Sequence, residues 1–293
     1  MILFRTTNHS LFAAAMLAAF CSAPAFAQAP AAAPATAANA SQPVTRGEIP
    51  ALVKEALLNE PEIIMEVAKR LREKQEADAK QKASEGLKKH TNDLFNNPDS
   101  PVIGPNDADV TIVEFFDYHC GYCKHMLPVI NDLMKEDKKV RFVFKEFPIL
   151  SDDSVTAARV ALAVNRVAKD KYFAFHQELM KANVKFDEKM LLDTAKKVGA
   201  DATKVKAEMA KPEITAILDK NREIAGALGV SGTPAIIMGN SITPGAVDLP
   251  TIKKMVAAVR AGKDPHEALK AADEALAAEA AKEAGKPAEA PKQ

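Results

Sequence analysis

The segment Val110-Thr-Ile-Val-Glu-Phe-Phe116 constrains the fold more than any other part of the chain. It is nearly continuous in apolar residues and rich in β-branched and aromatic side chains, the pattern of a central strand buried on both faces. A helix is expected to begin around Cys120 and Cys123, carrying Met126, Val129, Ile130 and Leu133. A second strand follows at Val140 to Phe144. Residues 152–227 are helical in pattern, with apolar repeats at 155–167, 172–180, 190–198 and 214–228, punctuated by Gly199, Pro212 and Gly229. Pro234 to Met238 reads as a short strand, Gly239-Asn240 as a tight hairpin turn and Ile242-Thr243 as the return strand. Residues 248–261 form a closing helix. Strand, helix, strand, long helical insertion, strand pair, helix is the order of an α/β domain with a helical subdomain set into it.

The ends of the chain carry a different message. Arg5, the apolar run Leu11 to Phe20 and the small-x-small triplet Ala25-Phe26-Ala27 have the form of a cleaved signal peptide over residues 1–27. The run is too short to span a bilayer, and Phe20 sits where a lipoprotein signal at Cys21 wants a small residue. An exported, periplasmic protein is expected. Residues 28–46 are rich in Ala, Pro, Thr and Gln and read as a disordered leader. Residues 264–293 are rich in Ala, Glu and Lys and are expected to be helical first and frayed from Gly285. Lys and Arg number 39 against 39 Asp and Glu, so no basic field points to nucleic acid.

Between leader and domain, residues 47–90 read as helix. Ile49, Val53 and Leu57 share one face, and Asn59-Glu60-Pro61 interrupts it, with Pro61 placed as the first residue of a second helix. That helix aligns Ile63, Ile64, Val67, Ala68 and Leu71. Residues 72–90 alternate charge and alanine, with Leu87 the only large apolar side chain, and read as a solvated spacer. An apolar face without a domain of its own needs another surface. Self-association through residues 48–71 is favoured over packing back on the same chain.

Loss of the signal removes Cys21 and leaves Cys120 and Cys123, two intervening residues apart. So small a loop gives little entropic stabilisation, so reactivity explains the pair better than scaffolding does. In the first turn of a helix, the leading thiol lies at the positive end of the helix dipole, which stabilises its thiolate. Cys120 is therefore assigned as the attacking thiol and Cys123 as the resolving one. A structural zinc site wants four ligands, and no further cysteine is available. His119 and His125 flank the pair, so Cu(I) or zinc binding and two inert thiols stay open as alternatives. His119 either tunes Cys120 or sits on the surface.

Phe115-Phe-Asp-Tyr-His-Cys-Gly-Tyr-Cys123 after a buried strand, with Gly232-Thr-Pro-Ala235 before a late one, resembles the active site of DsbA-like thioredoxin-fold oxidoreductases. The helical insertion of about 148–230 matches the feature that separates these from plain thioredoxin. The resemblance implies a thioredoxin fold over residues 91–263, with residues 47–90 as an oligomerisation and linker segment. It implies a cis Thr233-Pro234 peptide bond facing the cysteines and pairing with a client strand. Glu114 falls where the family keeps a buried acid that passes a proton during exchange, and Tyr122 joins His119 as a residue that tunes the site. Gly121-Tyr122 in place of Pro-His, and Thr233 in place of Val, are similar to ScsC-type and DsbC-type isomerases rather than to the oxidase DsbA. Residues 49–64 also resemble the amino-terminal segment of ScsC-like proteins, some of which are trimers. Com1-like proteins belong to the same broad group. The implied activity is disulfide isomerase or reductase, with dithiol oxidase or Cu(I)-binding copper-tolerance protein as alternatives. No cofactor is expected. The implied partners are exported cysteine-containing clients and a membrane redox partner of the DsbD, ScsB or DsbB type.

Overall fold

A computed structural model describes residues 44–271, 273 and 274. The expected signal peptide, nearly all of the expected leader and the expected frayed tail lie outside those residues. The chain divides into two compact units at Ile63–Ile64. In the first, α1 (Ile49–Asn59) carries Pro50 in its opening turn, where a missing N–H costs nothing, and has no buried residue. Helix α2 runs Glu62–Lys89, one residue later than Pro61 predicts.

The second unit is built on a five-stranded sheet in the order β1-β3-β2-β4-β5. Strand β2 (Val110–Phe116) lies at the centre, and six of its seven residues are buried. It pairs in parallel with β3 (Val140–Glu146), Val110 opposite Val140 and Phe116 opposite Glu146. Parallel neighbours need a crossover, which α4 (Gly121–Glu136) supplies. On the other side β2 meets β4 (Ala235–Met238) antiparallel, and β4 turns through Gly239-Asn240 into β5 (Ser241–Pro244). Gly239 has φ 60°, the left-handed conformation that a two-residue hairpin turn requires.

Side chains alternate across the strands, so the sheet feeds two cores. Ile112, Phe116, Phe142, Phe144, Ile236 and Met238 join α4, the inserted helices and α10 (Leu249–Arg260) in the larger one. Val113, Phe115, Val143 and Ile237 meet Leu87, Leu94, Leu228 and Val230 in the smaller one. The insertion comprises α5 (Asp152–Val167), α6 (Tyr172–Lys181), α7 (Glu188–Lys197), α8 (Ala202–Met209) and α9 (Pro212–Leu228). Side-chain caps start several helices: Ser151 accepts from the Ser154 N–H, Asp187 from Met190 and Asp248 from Thr251. At the end of the sheet away from the cysteines, Arg260 donates to both Asp109 and Asp137, tying α10 to the start of β2 and the end of α4.

Three elements go beyond the sequence reading: α3 (Thr91–Phe95), the two-residue edge strand β1 (Val102–Ile103) and α8. The expectation that residues 72–90 form a wholly solvated spacer needs correction. Gly86, Leu87 and His90 are buried. A Cβ on Gly86 would stand 2.6 Å from the Ala227 carbonyl oxygen, so only glycine lets α2 approach α9 this closely.

Candidate active site

Strand β2 ends at Phe116, and a turn from Asp117 delivers Cys120 to the start of α4. The Cys120 N–H donates to the Asp117 carbonyl at 3.0 Å. Cys120 is itself the N-cap of α4, its sulfur accepting from the Cys123 N–H at 3.4 Å. Its thiol donates to the Thr233 carbonyl at 3.2 Å. The Thr233–Pro234 peptide bond is cis, and the loop carrying it reaches the cysteines because β4 pairs directly with β2. Cys120 is 7% exposed and Cys123 1%, so Cys120 is the more open of two shielded sulfurs.

The two thiols are driven apart electrostatically. Cys120 is drawn down to about 5, first by the hydrogen bond with the Cys123 thiol, then by the Thr233 side chain and the backbone N–H groups of Cys123 and Tyr122, against the opposing pull of burial. Cys123 is pushed far up, chiefly by burial, with Cys120 and Glu114 adding to it. Glu114 is 1% exposed, and both its carboxyl oxygens lack a partner. Burial first, then the charge of Cys120, raises it to about 8. A group poised there holds a proton at neutral pH and can release it. His119 is half-buried, its ring against Phe186 at 4.6 Å between centroids. Tyr122 is 67% exposed beside His125. Among the described residues, no group of three or more His, Cys, Asp or Glu side chains is placed to hold a metal ion.

Sequence reasoning missed a second layer of polar groups. Asp117 is buried and accepts four hydrogen bonds, from the N–H groups of His119, Ile149 and Leu150 and from the Ser154 hydroxyl. Glu146 is also buried, and accepts from the hydroxyls of Tyr118 and Tyr172, each at 3.1 Å. Burial holds Glu146 well above the ordinary carboxylate range. His176, buried among Phe116, Tyr118, Phe144 and Phe173, is pushed down to about 3 and stays neutral. The available signal was a charged residue at each edge of an apolar strand: Asp117 after Phe116, Glu146 before Phe147.

A thioredoxin-type sheet with a helical insertion, and a thiol pair capping a helix beside a cis-proline, define a thiol–disulfide oxidoreductase fold. Residues 111–257 match the DSBA-like thioredoxin domain, and the chain belongs to that family. Residues 46–78 match the copper resistance protein ScsC N-terminal domain. Among curated proteins, the probable disulfide bond formation protein D of Bacillus anthracis is 27% identical over 177 residues, covering 56% of this chain and 80% of that one. A thioredoxin-like oxidoreductase from Silicibacter pomeroyi DSS-3 is 38% identical, with TM-score 0.55, covering 58% of this chain and 96% of the other. Proteus mirabilis ScsC in a transitional conformation is 31% identical, with TM-score 0.54, over 71% of this chain and 93% of its own.

Proposed function

We propose that this chain is a periplasmic disulfide isomerase or reductase, in which Cys120 attacks a client disulfide and Cys123 resolves the mixed disulfide. The single observation that carries the reading is the separation of the two thiols, Cys120 near 5 and Cys123 held protonated. At neutral pH Cys120 is a nucleophile, while Cys123 waits for a base. Glu114 is that base. Once Cys120 enters the mixed disulfide, the thiolate charge that helps keep Glu114 protonated is gone; Glu114 then ionises more readily and takes the Cys123 proton as the second sulfur attacks. The stabilised thiolate also favours the reduced dithiol, a poise shared by strong oxidants, so it leaves the direction of exchange to other features; reduced, the pair attacks wrongly paired clients. A membrane thiol donor keeps the pair in that form.

The direction of exchange rests on Gly121-Tyr122 and Thr233, and on the likeness of residues 46–78 to the ScsC segment. Ile49, Leu52, Val53 and Leu58 of α1 are exposed, as are Ile64, Val67 and Leu71 of α2. An isolated chain gains nothing by showing such a face to water, and self-association through residues 48–71 covers it. Export follows from the signal-peptide pattern of residues 1–27 and agrees with the Salmonella enterica relative described as a periplasmic thioredoxin-like protein. Reactivation of scrambled ribonuclease without added oxidant tests the function. Recovery of activity supports isomerisation; no recovery, together with rapid oxidation of a reduced peptide, makes the protein an oxidase.

The family description of residues 46–78 favours a second role, in copper resistance. Two sulfurs make a soft donor pair suited to Cu(I). Competition with a Cu(I) chelator tests this, and an unchanged chelator spectrum excludes tight binding.

A further inference from the structure

Among the described residues, four Asp, Glu and Lys side chains are buried: Glu114, Asp117, Lys145 and Glu146. Glu114 serves as the base, and Asp117 is occupied by four donors. Lys145 shares the smaller-core face with Val143, and donates to the Asp93 carbonyl and the Ser100 hydroxyl. Glu146 has no such task. It is the last residue of β3, opposite Phe116, and shares the larger-core face with Phe142 and Phe144. The groups that bear on its carboxyl most are two phenols and the carboxyls of Asp117 and Glu114, none of them a cation. A carboxyl buried without a cation costs free energy that an apolar side chain there would not.

That carboxyl joins distant parts of the chain. Its Oε1 accepts from the hydroxyls of Tyr118 and Tyr172, each at 3.1 Å. Tyr118 stands two residues before Cys120, and Tyr172 opens α6 of the helical insertion. The Glu146 carbonyl accepts from the Asn221 amide of α9 at 3.0 Å, and the next N–H, of Phe147, donates to the Phe116 carbonyl at 2.9 Å. The backbone thus fixes the acceptor, and the acceptor fixes the Tyr118 phenol. Both tyrosines are 1% exposed, so without Glu146 each hydroxyl would be buried unpaired. The seat of Cys120 depends on the same turn. Its sulfur accepts from the Cys123 N–H, and the benefit of a helix end to an anion falls off within the first turn. A turn that drifts from the helix end loses both.

We propose that Glu146 is a positioning residue for the nucleophile: through the Tyr118 hydroxyl it holds the turn that seats Cys120 as the N-cap of α4, and so sets how readily that thiol ionises. The inference rests on the assignment of Cys120 as the attacking thiol. Glu146 acts here as a neutral acid, since burial holds it well above the ordinary carboxylate range. Glutamine has the same length, the same acceptor oxygen and no charge, so it can take over the role. Leucine fills the space and offers no acceptor.

The test is a pH titration of thiolate absorbance in the reduced full chain, with a thermal melt of each variant. The wild type should titrate near 5, and Glu146→Gln should do the same. Glu146→Leu should raise the midpoint by about one pH unit, a roughly tenfold lower ionisation constant, which is the worth of one hydrogen bond to a charged group. Tyr118→Phe removes only the hydroxyl from a ring packed on Phe116 and Phe186. It should fold even where the leucine variant does not, and raise the midpoint as far. Tyr172→Phe should lower the melting temperature and leave the midpoint near 5, because its hydroxyl ties the insertion and not the turn. A midpoint that stays near 5 in Tyr118→Phe would overturn the inference, leaving Glu146 a stabiliser of the fold and the exchange activity standing. A midpoint raised as far in Glu146→Gln or in Tyr172→Phe would do the same, since the Tyr118 hydrogen bond would then not be the cause. A wild-type midpoint near the ordinary cysteine value would instead strike the assignment of Cys120.

Discussion

At the residue scale, the site works by giving two chemically identical side chains opposite protonation. Cys120 caps a helix and accepts a backbone N–H, whereas Cys123 lies one turn deeper beside a buried carboxyl. Absorbance of the thiolate at 240 nm should therefore titrate with a midpoint near 5; a midpoint near the ordinary cysteine value would contradict the assignment. A depressed pKa means that ionisation of Cys120 supports the folded dithiol at high pH, and this support is lost as pH falls through about 5. Glu114 has the opposite sign. Its raised pKa means that the folded state tolerates the neutral acid, and stability is lost as pH rises from the ordinary carboxylate range through about 8. Glu114→Gln should thus stabilise the protein at pH 9 by roughly 2–5 kcal/mol and have little effect at pH 4. The same variant should slow the resolving step. Urea unfolding at the two pH values checks the first expectation, and the lifetime of the mixed disulfide checks the second.

At the scale of elements, the sequence was legible where the pattern is local. The run Val110–Phe116, the amphipathic α4, the hairpin at Gly239-Asn240 and the closing α10 each announce themselves within a few residues. The two-residue β1 exists only because β3 offers it an edge, so no window of sequence could reveal it. Helix α8 has eight residues, too few for a clear period. The site divides along the same line. Cys120, Cys123, Glu114 and Thr233-Pro234 were found from adjacent motifs. Asp117 and Glu146 take their meaning from partners brought in by the fold, at Ile149, Leu150 and Ser154 for one and at Tyr118 and Tyr172 for the other. Gly86 belongs with these, since its need to be glycine comes from the carbonyl of Ala227. Gly86→Ala should lower stability by about 1–3 kcal/mol, because a backbone atom cannot rotate out of the way. A thermal melt reads this directly, and an unchanged midpoint would show that α2 is not seated through that contact.

At the scale of the whole molecule, the redox domain is preceded in the chain by helical segments with exposed apolar side chains. Replacing Ile64, Val67 and Leu71 with serine should abolish self-association while leaving the thiolate titration of Cys120 unchanged, because these side chains lie outside both cores. Sedimentation of the wild type and the variant separates the possibilities, and a wild-type monomer would remove the oligomer from the account. The central claim is the division of labour between the two sulfurs. It is tested most directly by mass spectrometry after mixing a disulfide-bonded client with each single-cysteine variant. Cys123→Ala should accumulate a mixed disulfide through Cys120, and Cys120→Ala should accumulate none. A client trapped on Cys123, or turnover that survives the loss of Cys120, would contradict it.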